Sequence, residues 1–114
     1  MADSTGEITF PYFFGQAAVQ AKLQQQLIQQ LEKDLRMTIA SQNAEGLFKE
    51  VVNQLRHCQE TGQLAQALYR ADLAEDSLPD TAHEDDYFQL LSLLFIKREA
   101  QKVFFRWQFH RENT

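Results

Sequence analysis

From Asp80 to Thr114 the chain contains neither glycine nor proline, and the whole of its 114 residues holds only four glycines and two prolines. Punctuation this sparse cannot supply the tight turns of an all-β domain of this length. Fifteen glutamines and fourteen leucines, both good helix formers, fill the uninterrupted stretches. The expected fold class is therefore all-α, one small domain with its own core.

The apolar pattern divides the chain into four helices. Residues 1–9 are polar and read as a frayed N-terminus. Phe10-Pro11-Tyr12-Phe13-Phe14 is an aromatic entry expected to pack across the bundle. A first, long helix starts between Pro11 and Gln16 and reaches about Ser41, with Leu23, Leu27, Leu31, Leu35 and Ile39 four residues apart. Asn43 is suited to cap a second helix, whose core stripe is Leu47, Val51, Leu55 and Cys58 and whose stop is Gly62. A short third helix carries Leu64 and Leu68 and stops near Asp72 or Glu75. After a loop marked by Pro79, the last helix runs from about Ala82 to Phe109. The domain thus spans residues 10–110 in the order long, medium, short, long, with residues 111–114 frayed.

Charge is unevenly placed. The formal net charge is -5, and residues 61–96 alone hold seven acids against one base, Arg70. Such a chain is poorly matched to a phosphate backbone, so a nucleic-acid partner is not expected. No stretch is long and apolar enough to span a membrane, and no basic start precedes an apolar leader. The single cysteine, Cys58, cannot build a disulfide framework. These features point to a cytoplasmic protein.

The last helix is apolar on two sides. On a helical wheel Tyr87, Leu90, Leu91, Leu94, Phe95, Phe105 and Phe109 make one stripe, expected to face the core. Leu93, Ile96, Val103 and Trp107 make another, about 180° away. A surface helix needs only one such stripe. Leu93, Ile96, Val103 and Trp107 are therefore expected at a chain–chain contact, with a homodimer or another protein as partner. The competing reading is a monomer whose first helix crosses the second stripe.

Arg98 falls within the first stripe, so it needs a partner if buried. Asp72, at the end of the third helix, is the expected acid of a buried Arg98–Asp72 pair fixing the third helix against the fourth. Glu99 points about 100° away from Arg98 and is expected off that face.

Candidate chemistry is sparse. No E-x-x-H unit, glycine-rich phosphate loop or nucleophile elbow is present. His57 and Cys58 are adjacent and point apart on a helix, so they form no nucleophile pair. No cofactor, catalytic residue or defined metal site is assigned. Asp72, Glu75, Glu84 and Asp85 could face one another across the loop and hold a divalent cation. That possibility defines the alternative function, a metal-dependent hydrolase of a small phosphorylated substrate. The leading expectation is a non-enzymatic helical module for interaction or oligomerisation.

Overall fold

A computed structural model describes residues 17–81 and 83–112. The aromatic segment Phe10–Phe14 lies outside them. Four helices follow in order: α1 Ala17–Leu35, α2 Ala44–Glu60, α3 Leu64–Ala71 and α4 Glu84–Glu112, with a 3₁₀ turn at Glu75–Ser77. The all-α, four-helix arrangement expected from the sequence is the one observed.

Leucines four apart line the inner face of α1, where Leu23, Leu27, Leu31 and Leu35 are all buried. They meet Leu47, Val51 and Leu55 of α2, Ala67 and Leu68 of α3, and Phe88, Leu91, Phe95 and Val103 of α4 in one core. Side chains in contact at this density stabilise a fold mainly by the apolar area they remove from water. Helix α4 packs against all three other helices.

The start of α2 is local chemistry. Asn43 Oδ1 accepts from Gly46 N–H at 2.8 Å, satisfying one of the orphan donors of the first turn. A side chain at Gly46 would collide with Ser41, whose Oγ would lie 2.5 Å from the new Cβ.

Helix α1 ends six residues before the expected Ser41. Its stop is Arg36, held in the left-handed region at φ 55°, with Met37 N–H closing onto Glu32 O at 3.1 Å. The exit is built from distant side chains. Glu32 Oε2 accepts Ile39 N–H at 2.9 Å, and the Glu50 carboxylate accepts Ala40 and Ser41 N–H at 3.2 and 2.8 Å. Arg70 Nε donates to Asp34 O at 2.7 Å and Gln54 Nε2 donates to Leu35 O at 2.9 Å. These partners satisfy carbonyls and amides that another turn of helix would have used.

The same left-handed closure recurs at Gly62 (φ 75°), where glycine adopts it freely, and at Asp72 (φ 62°). Arg36 has a Cβ and so carries strain worth roughly 1 kcal/mol. Arg36→Gly should therefore raise the unfolding free energy by about 0.5–1 kcal/mol, a gain of several degrees in Tm by calorimetry.

Candidate functional site

The orientation of α4 decides which residues are available. Its buried face carries Phe88, Leu91, Ser92, Phe95, Glu99 and Val103. That face lies between the two apolar stripes, about a quarter turn from each. Leu90, Phe105 and Phe109, expected in the core, are therefore exposed, at 46%, 57% and 69%.

The four expected interface residues separate. Val103 is 0% exposed and belongs to the chain's own core, so it is corrected from interface to interior. Ile96 and Trp107 are half-buried against that core. Only Leu93 stands out, at 55% exposure. The outward side of α4 thus presents Leu90 and Leu93, with Phe105 further along. The rotation has a physical cause. Ser92 and Glu99 are polar residues on the inner face, whereas leucines and phenylalanines occupy the outer one, and apolar periodicity cannot distinguish the two.

The Arg98–Asp72 contact is at the surface. Arg98 Nη2 donates to Asp72 Oδ2 at 2.7 Å, and Nε to Asp72 O at 3.3 Å. The Asp72 side chain is 79% exposed, which corrects the expected burial. Here Asp72 stands in the turn that ends α3, and Arg98 reaches it along the rim of α4. An exposed pair of this kind contributes under about 1 kcal/mol. Arg98→Ala should cost less than that in urea unfolding, and Arg98→Ala/Asp72→Ala a similarly small coupling energy.

The buried ionisable group on α4 is instead Glu99, 0% exposed. Lys102 Nζ sits between two helices' acids, donating to Asp34 Oδ2 of α1 at 2.9 Å and to Arg70 O of α3 at 3.0 Å. Nζ also lies 2.8 Å from Glu99 Oε2. Gln30 Nε2 donates to Asp34 Oδ2 at 2.8 Å, and Arg106 Nη1 to Gln30 Oε1 at 2.8 Å. The cluster ties α1, α3 and α4 together and fixes α1 antiparallel to α4.

Its protonation follows from its surroundings. Burial pushes the Glu99 acid up to about 8; Lys102 opposes that and the neighbouring Asp34 adds to it. Glu99 is thus protonated at neutral pH. Burial would raise Asp34 too, but Lys102, the Glu99 acid and Gln30 together hold its carboxyl below the usual value. Burial works against the Lys102 charge, yet the Glu99 and Asp34 side chains hold its pKa above normal. One carboxylate, one ammonium and one neutral acid sum to no net charge, the arrangement that a dry interior tolerates best. The cluster positions the helices, and its outer members Gln30 and Arg106 reach the groove between α1 and α4.

The acids at the α3–α4 junction do not assemble. Asp72 is held by Arg98, and Asp85 by Arg56 of α2, whose guanidinium also lies over the Phe88 ring. Glu75 and Glu84 are exposed. Among the described residues, no three His, Cys, Asp or Glu side chains gather in a group that could hold a metal. No described helix is long and apolar enough to cross a membrane. The Cys58 thiol is buried, and burial raises its pKa, the opposite of an activated nucleophile. An open groove of about 600 Å³ runs between α1 and α4, bounded by Lys22, Gln26, Lys33 and Arg106.

The sequence reading missed the Asp34–Glu99–Lys102 cluster. Its trace was present as Glu99 and Lys102 three apart on α4, but the partner Asp34 is 68 residues from Lys102 in sequence. No protein-family model, curated protein or solved structure matches the chain.

Proposed function

We propose that this chain is a non-enzymatic helical interaction module, and that the outward side of α4 is its docking face, taking a second copy or another protein. The observation that carries this is the pair Leu90 and Leu93, 46% and 55% exposed, on a helix whose opposite side is already committed to the core. Exposed apolar side chains grouped on one face mark association surfaces more often than chance exposure does.

We further propose that the aromatic run Phe10–Phe14 packs across the bundle. The protein works in the cytoplasm, consistent with its one, buried, unpaired thiol.

The test is site-specific photo-crosslinking in cells, with a benzophenone amino acid in place of Leu93 or, as a control, of exposed Gln59 on α2. Adducts from position 93 and none from position 59 are expected. Equal labelling at the two positions, or no adduct from position 93 either in cells or in the purified chain at high concentration and low salt, would remove the docking face.

A further inference from the structure

Four residues on the outward side of α4 form a short seam. Asp86, Leu90, Leu93 and Lys97 are spaced four, three and four apart, the alternation that keeps side chains on one line of a helix facing a second helix. All four are exposed. The two leucines stand in the middle, with an acid at one end and a base at the other. Other charges nearby are engaged: Asp72 by Arg98, Asp85 by Arg56 and Asp34 by Lys102. Asp86 and Lys97 have no ion-pair partner among the described residues.

We propose that the occupant of this face is a second copy of the chain, docked with its α4 antiparallel so that Asp86 of each copy meets Lys97 of the other. This rests on the reading of the outward side of α4 as the docking face. The charge order selects both partner and direction. With the helices antiparallel, Leu90 lies opposite Leu93 of the second copy, and the same register puts Asp86 opposite Lys97 at both ends. A two-fold axis then generates two identical ion pairs around a leucine centre, the self-complementarity that an isologous interface requires. A parallel pair would instead stack Lys97 on Lys97 and Asp86 on Asp86, which is repulsive. A seam of about three helical turns buries less than the roughly 1,200 Å² of a standard interface, so the dimer is weak, concentration-dependent and loosened by salt.

Sedimentation equilibrium of the full chain in low salt tests this, with helicity checked by circular dichroism for each variant. The wild type should associate into dimers as its loading rises toward ~1 mM. Asp86→Lys and Lys97→Asp should each weaken association by about tenfold or more, since each leaves like charges opposed. The double variant Asp86→Lys/Lys97→Asp should recover it, and so should an equimolar mixture of the two single variants. Lys97→Asp lies mid-helix on the surface, so it stays informative even if reversal at Asp86 disturbs the first turn of α4. A wild type that remains monomeric, or single reversals that associate as well as it does, would overturn the antiparallel pairing. A monomeric wild type whose position 93 still crosslinks to another protein overturns the pairing alone. No adduct from position 93, in cells or in the purified chain at the loading where the dimer would form, overturns the docking face itself.

Discussion

Glu99→Gln should flatten the pH dependence of stability between about pH 5 and pH 8. In the folded chain Glu99 titrates at about 8, against an ordinary value of 4.5. Below pH 4.5 both folded and unfolded states carry the proton, and its contribution is fully present. Between these values the unfolded state ionises while the folded state does not, so stability falls as pH rises. The slope is at most about 1.4 kcal/mol per pH unit, and the accumulated loss at pH 8 is on the order of 4 kcal/mol. Above pH 8 the loss is complete and the curve is level again. The neighbours titrate elsewhere: Asp34, held low, matters only as pH falls below its usual 3.8, and Lys102, held high, only above 10.5. Arg70 and Arg106 are the other charged side chains at the cluster. A glutamine has the shape of the protonated acid and no proton to lose. Urea unfolding from pH 4.5 to 8.5 should therefore show a falling curve for the wild type and a nearly level one for the variant, with the variant the more stable at pH 8. Parallel curves would mean that Glu99 ionises freely.

Lys102→Met should be the most damaging single substitution in the cluster. It removes the cation paired with the Asp34 carboxylate, whose side chain is 7% exposed, and leaves Arg70 O without its donor. Removing one member of a buried pair costs about 3–5 kcal/mol, because the remaining charge stays in a poor solvent. A cost near the lower end is expected, since Lys102 itself is 20% exposed and Gln30 still donates to Asp34. The penalty should shrink as pH falls and Asp34 takes up a proton. The double variant Asp34→Asn/Lys102→Met should recover much of the loss, because no unpaired charge remains. Additive losses from Asp34→Asn and Lys102→Met would show that the two do not interact.

The elements that could be read from the sequence are those whose causes are local. Asn43 caps α2 and Gly62 ends it through their own side chain and backbone, and Leu47, Val51, Leu55 and Cys58 repeat at the helical period between them. The α1 leucines repeat just as plainly. What the sequence could not show depends on distant residues. Arg36 carries no mark of a helix stop, and the exit of α1 is held by Glu50, Gln54 and Arg70 from other helices. The rotation of α4 was hidden because its inner face accepts Glu99 and Ser92 while its outer face carries leucine. Glu99 can enter the core only as a neutral acid beside Lys102 and Asp34, and that neighbourhood exists only after folding. Of the residues expected at a chain–chain contact, Leu93 is exposed, whereas Val103 is buried in the chain's own core.

All of this depends on the side of α4 that faces the core, and the melting temperature of Leu90→Glu/Leu93→Glu measures that side most directly. It should be taken at low protein concentration, where any gain from association is small. With Leu90 and Leu93 outward, as found here, the variant should melt within about 4 °C of the wild type, a change below roughly 1 kcal/mol. A fall of more than ~15 °C, or loss of helicity at room temperature, would place these leucines in the core and contradict the orientation of α4.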